Sequence, residues 1–211
     1  MNHEIKKKTK LLKTNGQLAE AGYATRMNFV FNRENAKLGP MPLKEWNFYQ
    51  FQCDHYVLQM TLGHLSYIGQ MAVTLMDIET GEKWSYSTMK PLFVPKLDLD
   101  AEKPSICRYA NEECRLQFTV KEDKRILALK GHSKDYDVIE VKLVVENDPS
   151  NEKMVIATPF DKAAQFYLNY KENYYKATGY ARFGDKYVAF KDATGLLDWG
   201  RGVWTYENVW Y

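Results

Sequence analysis

Apolar and polar positions alternate with a period of two through most of the chain, and long runs at the helical period of 3.6 are missing. Met27, Phe29 and Phe31 alternate with Arg26, Asn28 and Val30. A run from Trp46 to Cys53 meets an Asp54-His55 turn and is followed by Tyr56, Leu58, Met60 and Leu62 alternating with Val57, Gln59 and Thr61, which predicts a hairpin. Met71, Val73 and Leu75 alternate with Ala72, Thr74 and Met76 up to the polar turn Asp77-Ile78-Glu79-Thr80-Gly81, and residues 84–89 return from it. Pro91 and Pro95 then interrupt the pattern, so the stretch through Lys103-Pro104 reads as a long loop or a short helix.

The second half repeats the pattern. Leu116-Gln117-Phe118-Thr119-Val120 turns at Glu122-Asp123 into Ile126-Leu127-Ala128-Leu129. Ile139, Val141 and Leu143 alternate with Glu140 and Lys142, and the chain turns at residues 147–151 to come back through Met154-Val155-Ile156. Phe166, Leu168 and Tyr170 alternate again, and Gly184-Asp185 fits a two-residue hairpin loop with glycine first. About ten short strands at this spacing predict an all-β protein, a closed barrel or a sandwich. Residues 161–164 and the first fifteen residues are the only helix candidates.

Composition sharpens this picture. Apolar residues make up 45% of the 211-residue chain, enough for one sizeable core, and the aromatic share of 14% favours strands. The net charge of +2 gives no reason to expect a nucleic-acid partner. The one dense basic run, Lys6-Lys7-Lys8 with Lys10 and Lys13, reads as a solvated arm over residues 1–15, with a single β domain over 16–211. Cys53, Cys107 and Cys114 are odd in number and lack framework spacing, there is no apolar leader, and no stretch is long enough to span a bilayer. The expectation is a cytoplasmic protein with reduced thiols and no membrane span.

The common nucleotide, zinc-protease and serine-hydrolase motifs are absent, and the four histidines stand singly, so neither a cofactor nor a metal site is expected. His64, in an apolar setting, reads as a satisfied core or loop histidine before a catalytic one. Several strand faces mix large apolar residues with Gln, Asn, Thr and Tyr. That mixture suits a ligand cavity or a water-facing surface equally well.

The run Asp198-Trp199-Gly200-Arg201-Gly202-Val203-Trp204 concentrates a carboxylate, a guanidinium, two indoles and two glycines. Together with Thr14-Asn15-Gly16, Ala21-Gly22-Tyr23, Lys44-Glu45-Trp46-Asn47-Phe48-Tyr49 and Ser66-Tyr67-Ile68-Gly69, it resembles the DUF2804 family over nearly the whole chain. The resemblance implies a lipocalin-like (calycin) barrel or strongly bent sheet of about ten strands. It also implies distant kinship with carotenoid 1,2-hydratases and tocopherol cyclases, and a second β domain that is expected to fall outside this sequence. The partners it suggests are an apolar small molecule, such as a lipid or isoprenoid, and either that second domain or a homodimer.

Two readings of the motif follow. In the first it is a barrel plug: Arg201 packs across Trp199 or Trp46, and Asp198 anchors it by a charge-assisted hydrogen bond. In the second, Asp198 or Glu45 is an acid with a burial-raised pKa, while Trp46, Tyr67, Trp199 and Trp204 offer π faces to a cationic intermediate in a cofactor-free hydratase, cyclase or isomerase, with Arg201 beside them. A bland reading makes Lys44 and Glu45 surface charges flanking a core Trp46, and Tyr67 a corner tyrosine. The leading functional expectation is a module that binds an apolar molecule. The remaining alternatives are the enzyme and a half-domain that docks on a missing partner domain.

Overall fold

The computed structural model describes residues 3–36, 43–205 and 207. Almost every alternating segment is a strand. Three are short, β1 (Thr9–Lys10), β2 (Gly22–Ala24) and β3 (Phe29–Val30). A first meander comprises β4 (Leu43–Cys53), β5 (Tyr56–His64), β6 (Ile68–Asp77) and β7 (Lys83–Pro91). A second comprises β8 (Ser105–Ala110), β9 (Cys114–Val120), β10 (Lys124–Gly131) and β11 (Ile139–Glu146), followed by β12 (Lys153–Pro159) and the long hairpin of β13 (Phe166–Phe183) and β14 (Lys186–Val203).

The strands join edge to edge in the order β7-β6-β5-β4-β14-β13-β11-β10-β9-β8, all antiparallel, and the sheet curls strongly into a half-barrel. The β13–β14 hairpin therefore welds the two meanders together. Its turn carries Gly184 at φ 56°, the left-handed conformation that a leading glycine supplies without strain.

Three sequence expectations change. The segment after residues 147–151 does not return beside β11. At 18 residues, β13 is long enough to offer two ladders, so β11 takes residues 177–183 while β12 takes residues 166–172 and carries β2 on its other side. Neither helix candidate forms: residues 161–164 make bends and turns, and the N-terminal arm is extended. The arm is also no free tail. Ile5, Leu11 and Leu12 are buried, and backbone bonds from Ile5 N to Tyr23 O and from Leu11 N to Val30 O hold it against β2 and β3. Its lysines face water together with His3, Glu4, Thr14 and Asn15, while Ile5, Leu11 and Leu12 turn inward, so the apolar residues override the charge. No described helix is long and apolar enough to cross a membrane.

The concave face is packed with the sheet's own side chains. Phe51, Leu58, Met60, Leu62, Leu75, Phe118 and Leu127 have no measurable exposure. The curl brings distant strands into contact across this space. Tyr49 of β4 meets Phe118 of β9 edge-on at 5.0 Å, and the Tyr86 hydroxyl on β7 donates to Glu113 beyond β8 at 2.6 Å. Burial of this kind contributes about 1.5–3 kcal/mol per large apolar side chain.

On the convex face the indole of Trp46 lies across Gly200, where an added methyl would sit 2.1 Å from a ring carbon and force the indole to shift. Gly200→Ala should therefore lower stability by about 1–3 kcal/mol through overpacking. Urea unfolding measures this, and an unchanged midpoint would contradict the packing described.

Candidate functional site

Two clusters of buried polar side chains lie among the described residues, one centred on Arg201 and one on Arg125 and Glu172. The first is built by register. β14 points Trp199 and Arg201 to the concave side, where β4 sets Asn47 opposite Trp199 and Glu45 opposite Arg201, and β5 sets His64 opposite Glu45. Three neighbouring strands thus align His64, Glu45 and Arg201 in one row.

Asp98, from the proline-broken connection between β7 and β8, covers that row. Arg201 is fully buried, and each guanidinium nitrogen has an acceptor. Nε donates to Asp98 O (3.3 Å), Nη1 to Trp46 O (2.7 Å) and Gly200 O (2.8 Å), and Nη2 to Asn47 Oδ1 (2.7 Å) and Asp98 Oδ1 (2.6 Å). The guanidinium lies 4.0 Å from the centre of the Trp199 ring, whose Nε1 donates to the same Asp98 oxygen at 2.8 Å. Burial pulls the Arg201 pKa down, and the charges of Asp98 and Glu45 oppose that pull.

Glu45 is the second buried charge of this cluster, at 1% exposure, so it is no surface carboxylate. His64 Nδ1 accepts the Ser66 N–H at 3.0 Å, which leaves Nε2 to carry the proton that His64 donates to Glu45. Both ring nitrogens are thereby satisfied. Arg33 Nε approaches Glu45 Oε2 at 2.8 Å and Arg201 Nε approaches Oε1 at 3.4 Å. Burial alone would raise the carboxyl pKa, but the His64 hydrogen bond and the two guanidinium charges outweigh it, and the net shift is downward. The raised acid that the sequence reading required at Glu45 is absent.

The other candidate residues lie outside this row. Asp198 does not anchor Arg201: three positions apart on a regular strand, the two side chains point to opposite faces. Asp198 lies on the convex side, ion-paired with Lys171 and accepting from Trp46 Nε1 and Asn169 Nδ2 at 3.2 Å each. Trp46 and Trp204 are convex too, 5.7 Å apart, with Tyr167 stacked on Trp204 at 5.4 Å. Tyr67 is 41% exposed in the turn between β5 and β6. The expected set thus divides: Glu45, Trp199 and Arg201 meet on the concave side, Asp198, Trp46 and Trp204 meet on the convex side, and Tyr67 joins neither group. Asp98, which holds Arg201, carried no sequence signal beyond being an acid in a long loop.

The second cluster was not anticipated. A register shift between Glu172 and Tyr175 lets both of these positions face inward, and it turns Tyr174 out at φ 64° and 70% exposure. Glu172 Oε2 accepts hydrogen bonds from the Tyr170 hydroxyl at 2.5 Å and from the Tyr175 hydroxyl. Burial holds both phenols far above the ordinary tyrosine pKa, so they act as donors. Arg125, at 3% exposure, donates from Nε to Asn147 Oδ1 (3.0 Å) and from Nη1 to Tyr49 OH (3.1 Å).

This cluster floors a pocket of about 310 Å³. Buried Arg125, Tyr170 and Glu172 line its depth, half-buried Lys153 and Glu102 come next, and exposed Arg26, Glu122 and Asp148 line its rim.

Fold and sites together define an all-β half-barrel closed by a buried arginine network and carrying a separate polar pocket. The chain belongs to the family described as Domain of unknown function (DUF2804), which matches residues 2–211, in line with the motifs that suggested it. No curated protein and no solved structure matches it.

The lowered pKa of Glu45 has a definite consequence for stability. A carboxyl whose folded-state pKa is depressed stabilises the fold above its ordinary value, and that contribution is lost as pH falls towards the folded value. Wild-type protein should lose stability below about pH 4.5 more steeply than Glu45→Gln, as read by urea unfolding at stepped pH. Parallel curves would contradict the assignment.

Proposed function

We propose that this chain is a small-molecule-binding protein whose ligand occupies the pocket floored by Arg125, Lys153 and Glu172, and that the Arg201 network is the closure of its half-barrel. One observation carries the reading: a deeply buried guanidinium and carboxylate, held in place by three tyrosines and an asparagine, line an open pocket of a size that suits a small ligand. The stacking of Arg201 on Trp199 supports a lipocalin-like closure, in which that arginine is structural.

The ligand class differs from the one the family resemblance implies. An apolar molecule needs an apolar chamber, whereas the concave face is filled by Phe51, Met60, Leu75, Phe118 and their neighbours. The hydratase or cyclase reading needs Asp198 or Glu45 beside the faces of Trp46, Tyr67, Trp199 and Trp204. These residues lie on both faces of the sheet and in an exposed turn, without a common chamber. The proposed ligand is therefore polar.

Amide and guanidinium NMR spectra test this with two pools of compounds, one of polar metabolites and one of fatty acids and isoprenoids. The polar pool should shift the Arg125 Nε–H signal and the amides of Asn147, Lys153 and Glu172, and the apolar pool should not. The reading is overturned if the polar pool leaves those signals unmoved, or if either pool acts only on other residues.

A further inference from the structure

Hydrogen-bond demand differs sharply between the two buried arginines. Arg201 has an acceptor on every nitrogen. Arg125 does not: its Nη2 lies 3.9 Å from Glu172 Oε2, too far for a hydrogen bond, and that oxygen already accepts from Tyr170 and Tyr175. Lys153 Nζ is likewise 3.9 Å from Glu172 Oε1, with its side chain 13% exposed. Two cationic donors thus flank a single carboxylate at the pocket floor, and neither is hydrogen-bonded to it. Both donors belong to side chains that line the pocket, where a ligand carboxylate can take the place of water, and the planar fork of a guanidinium suits one.

The rim has the opposite balance. Exposed Glu122 and Asp148 share it with the cation Arg26, and half-buried Glu102 lies between rim and floor, where its charge reaches the Tyr170 phenol. Glu102 accepts the Met27 N–H at 3.1 Å, and Asp148 accepts from the Ser150 N–H at 2.8 Å, so these acids are fixed by the backbone. A cationic floor beneath an acidic rim sorts ligands by the order of their charges. An inorganic anion would satisfy the floor but meet the rim's field, and a neutral polyol would use neither excess.

Building on the pocket reading above, we infer that the ligand is a small zwitterion, a carboxylate joined to an ammonium group as in an amino acid. Its carboxylate takes Arg125 Nη2 and Lys153 Nζ, and its ammonium group turns to Glu102, Glu122 and Asp148. The volume of about 310 Å³ holds such a molecule with a modest side chain.

Titration calorimetry on the whole chain tests this with the free amino acids, their methyl esters, their N-acetyl forms and glucose. At least one free amino acid should bind, with its ester and its N-acetyl form each at least tenfold weaker. Lys153→Gln should weaken the free amino acid at least tenfold. The double variant Glu122→Gln/Asp148→Asn should weaken it at least threefold and leave the N-acetyl form unchanged. Arg125 is spared because it also holds Tyr49 and Asn147, and thermal unfolding checks that each variant stays folded. If esters or N-acetyl forms bind as tightly as the parent, or only glucose binds, the zwitterion inference is wrong. The pocket reading survives that result provided Lys153→Gln still weakens whatever binds. If nothing binds, the zwitterion inference is overturned. If binding occurs and ignores Lys153, both readings fail.

Discussion

A guanidinium removed from water must find acceptors for all its N–H groups, and the architecture of this half-barrel follows from how Arg201 finds them. Its acceptors come from β4, from β14 itself and from the connection between β7 and β8, which otherwise has little regular structure to fix it. That connection joins the two edge strands of the curled sheet, so fixing Asp98 on Arg201 also fixes how the two meanders close on each other. Trp199 and Ser105 bind the same carboxylate, and His64 and Arg33 complete the charge balance at Glu45. A buried ion pair of this kind gives little net stability against an apolar replacement, but removing one member is costly because the other is stranded. Its effect here is to make one closed arrangement far better than its neighbours.

The same rule separates Arg201 from Arg125. Where every donor is matched, as at Arg201, a ligand has nothing to gain. At Arg125 Nη2 and Lys153 Nζ the protein sets cationic donors 3.9 Å from Glu172, beyond hydrogen-bond reach, and leaves open space beside them. The rigidity comes from Tyr49, Tyr170, Tyr175 and Asn147, and two of these four depend on β13: Tyr170 by simple alternation, Tyr175 by the bulge. The bulge that interrupts the longest hairpin is thus what brings Glu172 and Tyr175 onto one face.

Much of the fold was legible in the chain because a half-buried sheet writes its period directly into the sequence. Most strand positions from β4 to β13 follow the alternation, though β8 and the far half of β14 were not legible in it, and the hairpins at Asp54-His55 and Gly184-Asp185 follow turn chemistry. Pairing was less legible: β12 sits beside β13 because β13 is long enough for two partners, a property of length and not of local pattern. The candidate site was legible only in part. The alternation rule, applied strictly, separates Asp198 from Arg201, and the rich composition of that run obscured this. Asp98 lay in a loop with no period to read. Glu172 and Tyr175, three apart, read as opposite faces until a register shift aligns them. The arm at residues 1–15 drew the eye to its lysines, while Ile5, Leu11 and Leu12 decided its place.

The dependence of the fold on the Arg201–Asp98 contact is tested most directly by a double-mutant cycle in urea unfolding, with Arg201→Leu, Asp98→Ala and the two combined. Each single change should cost about 3–5 kcal/mol by stranding a buried charge. The double variant should recover about 2–3 kcal/mol of their sum, since the two groups act as one unit. Losses that add to within about 0.5 kcal/mol would mean that the two side chains stabilise the protein independently, and that the half-barrel is closed by something else.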